Sequence, residues 1–207
     1  MTEVKTRPSL RAEQAAQTRH RILDAASRVF EVQGFAGTRI EDVADAAGVA
    51  VPTVYKAFTN KVNLLVGAVH RAMAGGDEAV DEQAWFTEQL GEPDPTPQLQ
   101  LIGRNARRMY ERAGPLLSVL RSAAPVDSEL AQAWRDIASQ RVERSRRTAR
   151  NLHAKAAART RLSRNETAAT LLALTEPELF NTFMAIGRTA DQYETWVGDV
   201  LVRSLLA

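Results

Sequence analysis

The sequence predicts an all-α fold, with three short N-terminal helices followed by a larger helical domain. Apolar residues recur at spacings of three and four along nearly the whole chain. No segment alternates with period two between turn signals. The turn chemistry is that of helix ends: glycines after apolar stripes, prolines where helices begin, and Ser or Thr three residues ahead of Glu.

Over residues 19–33, Ile22, Leu23, Ala26, Val29 and Phe30 share one helical face, and Gly34 supplies a left-handed stop. Thr38 and Glu41 have the spacing of a capping box, so a short second helix is expected over residues 40–47. Gly48 ends it, because only glycine takes positive φ cheaply. Pro52 suits the first turn of a third helix reaching about Phe58, where its missing amide would lack a partner anyway. A fourth helix opens near Asn60 and carries Leu64, Leu65, Ala68, Val69, Ala72 and Met73 on toward Leu90. Residues 91–97 hold three prolines and are expected to form a loop. Beyond it, helices are expected over residues 98–112, 115–122 and 127–158. The pairs Ser163/Glu166, Thr175/Glu178 and Asp191/Glu194 mark three further starts.

With 207 residues, 44% hydrophobic and 25% charged, the chain has an ordinary globular balance and enough length for a real core. The absence of cysteine excludes disulfides, thiolate zinc sites and thiol nucleophiles. His20, His70 and His153 are too scattered to suggest a metal motif, and no cofactor is expected. The N-terminus lacks the apolar core of a signal peptide and no stretch is long enough to span a membrane, so a cytoplasmic location is expected. The net charge is only +2, but it is unevenly placed. Residues 104–164 carry fifteen basic and five acidic residues, while residues 77–94 carry seven acidic and no basic ones. Residues 1–63 are nearly balanced, nine against seven, so any positive charge that acts there must act through position.

Residues 40–58 read IEDVADAAGVAVPTVYKAF, the pattern of a helix-turn-helix. Ala44 is the small residue where the helices cross and Gly48 lies in the turn. Ile40, Val43, Ala47, Val49, Val54 and Ala57 are the apolar plugs. Around this motif, RILDAASRVFEVQGFAGTRIEDVADAAGVAVPTVYKAFTNKVNLL resembles the DNA-binding domain of the TetR family of transcriptional regulators from end to end. LFNTFMAIGRTADQYETWVGDVLVRSLL is similar to that family's C-terminal helices. The resemblance implies a flexible arm over residues 1–17, a DNA-binding domain over 18–62, and a ligand-binding and dimerisation domain over 63–207. It implies a homodimer that represses transcription from a double-stranded DNA operator until a small-molecule effector binds.

Carried over by position, Thr38 and Arg39 would hold phosphate at the start of helix two. Thr53 and Lys56 would contribute to reading bases, and Tyr55 and Lys61 would hold the DNA backbone. Val51 and Pro52 can offer only shape or thymine-methyl contact. Ala50 departs from the family's usual Ser or Thr, which removes a side-chain cap worth on the order of 1 kcal/mol. Lys5, Arg7 and Arg11 lie in a polar stretch that is either an arm able to reach a minor groove or a disordered tail with no role.

The large apolar residues Trp85, Phe86, Met109, Tyr110, Leu116, Leu120 and Trp134 are candidates for the effector pocket, and each could equally be plain core. Arg104, Arg107, Arg108 and Arg112, at helical spacing, could attract an acidic effector or form a solvated face. The last two helices carry apolar residues on more than one face. Phe180, Phe183, Met184, Tyr193, Trp196 and Val200 are therefore assigned to a two-fold four-helix interface. Helix four is expected to relay effector binding, with Gly75 and Gly76 as a hinge or a tolerated weak point. No active-site motif or phosphate-binding glycine loop appears, so an enzyme is not expected. The alternatives are a dimeric helical adaptor for a protein partner and a nucleoid-type binder, the latter disfavoured by the balanced charge of the DNA-binding segment.

Overall fold

Helices form every extended element of the computed structural model, which describes residues 10–76, 80, 83–155 and 158–206. They are α1 (Leu10–Gly37), α2 (Ile40–Ala47), α3 (Val51–Phe58), α4 (Lys61–Ala74), α5 (Ala84–Gly91) and α6 (Pro95–Ala123). After a 3-10 turn over Ala124–Val126 come α7 (Ser128–His153), α8 (Arg164–Leu174), α9 (Pro177–Ala185) and α10 (Ala190–Leu205). An isolated bridge between Thr160 and Leu206 is the only β pairing among the described residues. The chain divides into two compact units, Met1–Val69 and His70–Ala207.

In the N-terminal unit, α1 begins at Leu10, so Arg11 is helical, while Lys5 and Arg7 lie outside the described residues. Gly34 breaks α1, with φ 67° and ψ 179°. The chain leaves that break with an unsatisfied Gly34 carbonyl, and Thr38 folds back to it through its amide at 3.3 Å and its hydroxyl at 2.7 Å. The capping box expected from Thr38 and Glu41 is therefore absent. Arg39 is the N-cap of α2 and offers no side-chain cap. Gly48 ends α2 in the left-handed conformation, and its amide returns to the carbonyls of Ala44 and Asp45. The core joins Ile22, Leu23, Ala26 and Phe30 of α1 to Ile40, Val43, Ala44 and Ala47 of α2 and Val54 and Phe58 of α3.

Helix α4 stops at Ala74 rather than running toward Leu90. Gly75, at φ 76°, is its left-handed C-terminal stop, and its amide donates to the Arg71 carbonyl at 2.9 Å. Gly75 and Gly76 thus follow the helix instead of interrupting it.

The C-terminal unit is built around α6, which is one helix where two were expected. Pro95 and Pro97 lie in its first turn, where the missing amides cost nothing, and this overturns the expected loop. Pro115 lies inside the helix on its exposed side, so the Glu111 carbonyl it leaves unbonded can be hydrated. The opposite face buries Leu99, Ile102, Ala113, Leu116, Leu117 and Leu120. Helix α10 lies so close to α6 that a Cβ on Gly103 would sit 2.5 Å from the Glu194 carbonyl oxygen. One on Gly198 would meet the Gln100 Cα at 3.2 Å.

Ser163 and Glu166 form the expected capping box. The other two starts shift. Thr175 returns its hydroxyl to the Leu171 carbonyl at the end of α8, leaving Glu176 as the N-cap of α9. The box of α10 is Thr189 with Gln192, and Asp191 and Glu194 instead pair with Arg107.

Candidate nucleic-acid interface and ligand cavity

Helix α3 is short, and α1 ties down both ends of the motif that holds it. Arg21 donates to the carbonyls of Ala47 at 2.6 Å and Gly48 at 3.2 Å, neutralising the C-terminal end of α2. Arg19 donates to the Ala57 carbonyl at 2.7 Å and lies 4.0 Å over the Phe58 ring, doing the same for α3. With Val54 and Phe58 buried, the outer face of α3 presents Pro52, Tyr55 and Lys56, and Tyr55 is 48% exposed. Val51 and Thr53 flank that face and are half-buried. Arg39 is exposed at the start of α2, 3.6 Å from the Glu41 carboxylate. These are the residues the sequence assigns to DNA, and they lie on the same short motif.

Thr38 and Lys61 are placed differently. Thr38 is 2% exposed, and its hydroxyl proton is committed to Gly34, so that side chain does not offer a donor to phosphate. Lys61 is half-buried. Its Nζ donates to the carbonyls of Phe35 at 2.8 Å and Thr38 at 3.0 Å and lies 4.5 Å from the Phe35 ring centre. Two of its three N–H groups therefore hold the turn between α1 and α2 against the start of α4, leaving one for a partner.

In the C-terminal unit a cavity of about 90 Å³, partly open to solvent, lies among α5, α6, α7 and α8. Of the residues proposed for it from sequence, Trp85, Phe86, Met109 and Tyr110 line it. Leu116 and Leu120 do not: both are fully buried on another face of α6, as core. Trp134 lines a second, small cavity with Met73, Leu117 and Ile137. Arg104, Arg107 and Arg112 do not line the main cavity either. The first two pair with Glu194, and Arg112 donates to the Ala72 carbonyl at 3.2 Å, near the end of α4.

The polar wall was missed in the sequence. Arg141, Arg144, Ser145 and Thr148 of α7 line the cavity at spacings of three and four, a single helical face. The apolar stripe of α7, Leu130, Trp134 and Ile137, breaks at these residues and resumes at Leu152. That interruption is the signal that could have found them. On the facing side Asn105 donates to the Gln89 carboxamide oxygen at 3.1 Å. Burial pushes the Tyr110 phenol up to about 12, so it remains a neutral donor and bonds to the Thr175 carbonyl.

The proposed interface residues also divide. Phe180 and Tyr193 are buried within the chain, their rings 5.0 Å apart and edge to face, and so belong to its own core. Phe183, Met184 and Val200 are half-buried, and Trp196 is 37% exposed with its ring 4.9 Å from Phe183. Ile186, 66% exposed, adds to this apolar face.

Among the described residues no helix is long and apolar enough to cross a membrane, and no group of acidic or histidine side chains could hold a metal ion.

A family model described as bacterial regulatory proteins, tetR family, matches residues 22–68. The chain is 32% identical over 124 residues to the HTH-type transcriptional repressor KstR of Mycobacterium tuberculosis, covering 60% of this chain and 54% of that protein. It is 37% identical over 76 residues to the HTH-type transcriptional regulator TtgR of Pseudomonas putida, covering 34% of this chain and 36% of the relative. The matches to KstR span little more than half the length of that relative. Among solved structures, NalD, the secondary repressor of a multidrug efflux pump in Pseudomonas aeruginosa, superposes with a TM-score of 0.70 at 21% identity, covering 93% of this chain and 98% of NalD. The transcriptional regulator FadR of Bacillus subtilis, solved with stearoyl-CoA, gives 0.66 at 18% identity, covering 89% and 98%. At those identities the likeness is one of fold.

Proposed function

We propose that the chain, whose residues 22–68 match the family model of bacterial regulatory proteins, tetR family, is a sequence-specific DNA-binding repressor, released from its operator by a small molecule. The observation that carries this reading is the outer face of α3, where Pro52, Tyr55 and Lys56 stand on a helix whose inner face and both flanking turns are fixed. Rigid support of that kind suits a helix that must enter a major groove in one register. Tyr55 holds the DNA backbone, Thr53 and Lys56 read bases, Val51 and Pro52 supply shape, and Arg39 meets phosphate. Thr38 and Lys61 act chiefly by holding the platform. The cavity between α5 and α8 receives the effector.

The working form is a homodimer, joined through the apolar face carrying Phe183, Met184, Ile186, Trp196 and Val200. Two-fold symmetry makes the operator a palindrome. Effector and operator must weaken one another by the same factor, typically about 5- to 150-fold.

A gel shift on the DNA upstream of its own gene tests the reading. A complex that survives excess nonspecific competitor is expected, and Thr53→Ala should change the ranking of operator variants. A protein that shifts no such fragment, yet captures a protein partner, is the adaptor instead.

A further inference from the structure

We propose that the cavity among α5, α6, α7 and α8 takes an organic anion, a carboxylate carried on an apolar or aromatic body. This rests on the sensor reading only for the cavity's being a ligand site; the class of ligand follows from its walls. Trp85, Phe86, Ile102, Met109 and Leu171 form an apolar side. On the α7 side, Arg141 and Arg144 are one turn apart, with Ser145 and Thr148 on the same face. None of the described lining residues is Asp or Glu.

Arg141 is the better defined of the two guanidiniums. Its three hydrogen bonds, to the Leu172 carbonyl at 3.4 Å, the Thr175 carbonyl at 3.0 Å and the Glu176 carboxylate at 2.8 Å, are all made by Nη2. One nitrogen thus fixes the plane, and with the Tyr110 phenol as a further side-chain hydrogen-bond partner the guanidinium still carries more N–H groups than these contacts use. The side chain is 14% exposed, so bulk water has little access to it, and it lines the cavity. Across from it, the Gln89 carboxamide oxygen is occupied by Asn105, which leaves its NH₂ as a further donor. The wall is therefore rich in donors.

Three classes of ligand can be compared on this wall. An organic cation would meet the guanidiniums of Arg141 and Arg144, and the Glu176 carboxylate beside them is already bound to Arg141. A neutral apolar molecule would cover a preoriented guanidinium edge without giving it an acceptor, which a desolvated site penalises. A carboxylate offers two coplanar oxygens matched to that edge, while its body lies against the aromatic side.

Calorimetric titration of the full-length protein tests this with two matched series: 4-phenylbutyrate, its methyl ester and 4-phenylbutylamine, and octanoate, methyl octanoate and octylamine. In at least one series the acid should bind about tenfold or more tightly than its ester and its amine. Arg141→Met should lower the acid's affinity by about tenfold while leaving the ester's nearly unchanged. Because that variant also removes the partner of Glu176 and could fail to fold, Arg144→Gln is the second variant, and it should narrow the acid-to-ester ratio. An ester that matches its acid, an amine that binds best, an acid-to-ester ratio unmoved by Arg144→Gln, or no acid bound in either series overturns the proposal. An acid that binds without weakening the DNA complex sustains the anion site and removes the sensor reading.

Discussion

In the N-terminal unit, Arg19, Arg21, Thr38 and Lys61 spend their donors on carbonyls at helix ends, and what remains for a partner stands on the outer face of α3. In the C-terminal unit, Arg141 uses the same clamp at the end of α8, but from inside a cavity wall and with one of its nitrogens. There the Tyr193 hydroxyl is buried with no hydrogen-bond partner among the described residues. The difference fits the two proposed tasks. A surface that reads DNA gains from having its polar groups already satisfied, since nothing reorganises on docking. A site that waits for a ligand keeps donors whose partners arrive with it.

If the C-terminal unit draws its order from close packing rather than polar clamps, the largest effect should come from Gly103→Ala. The added Cβ would meet a backbone oxygen of α10, which cannot swing aside as a side chain can. A loss of about 3 kcal/mol in unfolding free energy is expected, at the upper end for overpacking. Chemical denaturation would measure it. A loss below about 1 kcal/mol would mean that α10 slides freely, and the contrast with the N-terminal unit would weaken.

Lys61→Ala probes the opposite unit. It removes two charge-assisted bonds and a ring contact, all partly exposed, so about 1–2 kcal/mol of stability should be lost rather than the full value of two such bonds. DNA affinity should fall on every sequence, because the turn before α2 loosens. The salt dependence distinguishes clamp from direct contact. A clamp leaves the slope of affinity against salt unchanged, whereas a phosphate contact would reduce it by about one.

The sequence made α2, α3 and the residues on the outer face of α3 legible because one spacing rule settles both the core and the exposed face there: the positions not needed for the core are those left to face outward. It failed at Thr38 for a local reason. The break at Gly34 exposes a carbonyl that captures the hydroxyl before the helix amides can, and spacing alone cannot reveal that competitor. It failed at Pro95 and Pro97 because prolines within a first turn are compatible with the helix they seem to forbid. The cavity was half legible. Its aromatic side stood out, but Arg141 and Arg144 lay in so basic a helix that they passed for a solvated face. Only the gap in the apolar stripe between Ile137 and Leu152 sets them apart.

Tyr193→Phe should show the smaller, opposite sign. The phenol is fully buried between Phe180 and Phe183, burial pushes its pKa upward, and its hydroxyl gains nothing for the cost of desolvation. Removing that oxygen should leave the unit as stable as before or more stable by about 1 kcal/mol. Thermal unfolding is the measurement, and a drop in melting temperature would mean that the hydroxyl has a partner, such as a buried water.

The smallest effect is expected at Ala50, the N-cap of α3. Its backbone already has the extended geometry of a cap, φ −73° and ψ 145°, and no side-chain bond is made there. Installing a hydroxyl by Ala50→Ser would ordinarily recover about 1 kcal/mol. Here the available amides are few. Pro52, at the second helical position, has no N–H, and the Thr53 amide already donates to the Ala50 carbonyl at 2.8 Å. The new hydroxyl would compete for a donor in use instead of satisfying an idle one, so a gain below about 0.5 kcal/mol is expected. A gain of the full amount would show the Ala50 carbonyl bond to be weak and α3 to be less completely tied down than Arg19 and Arg21 imply. DNA affinity separates the cases further: a helix already fixed should bind its operator no more tightly after the change, whereas one that frays should bind more tightly once capped.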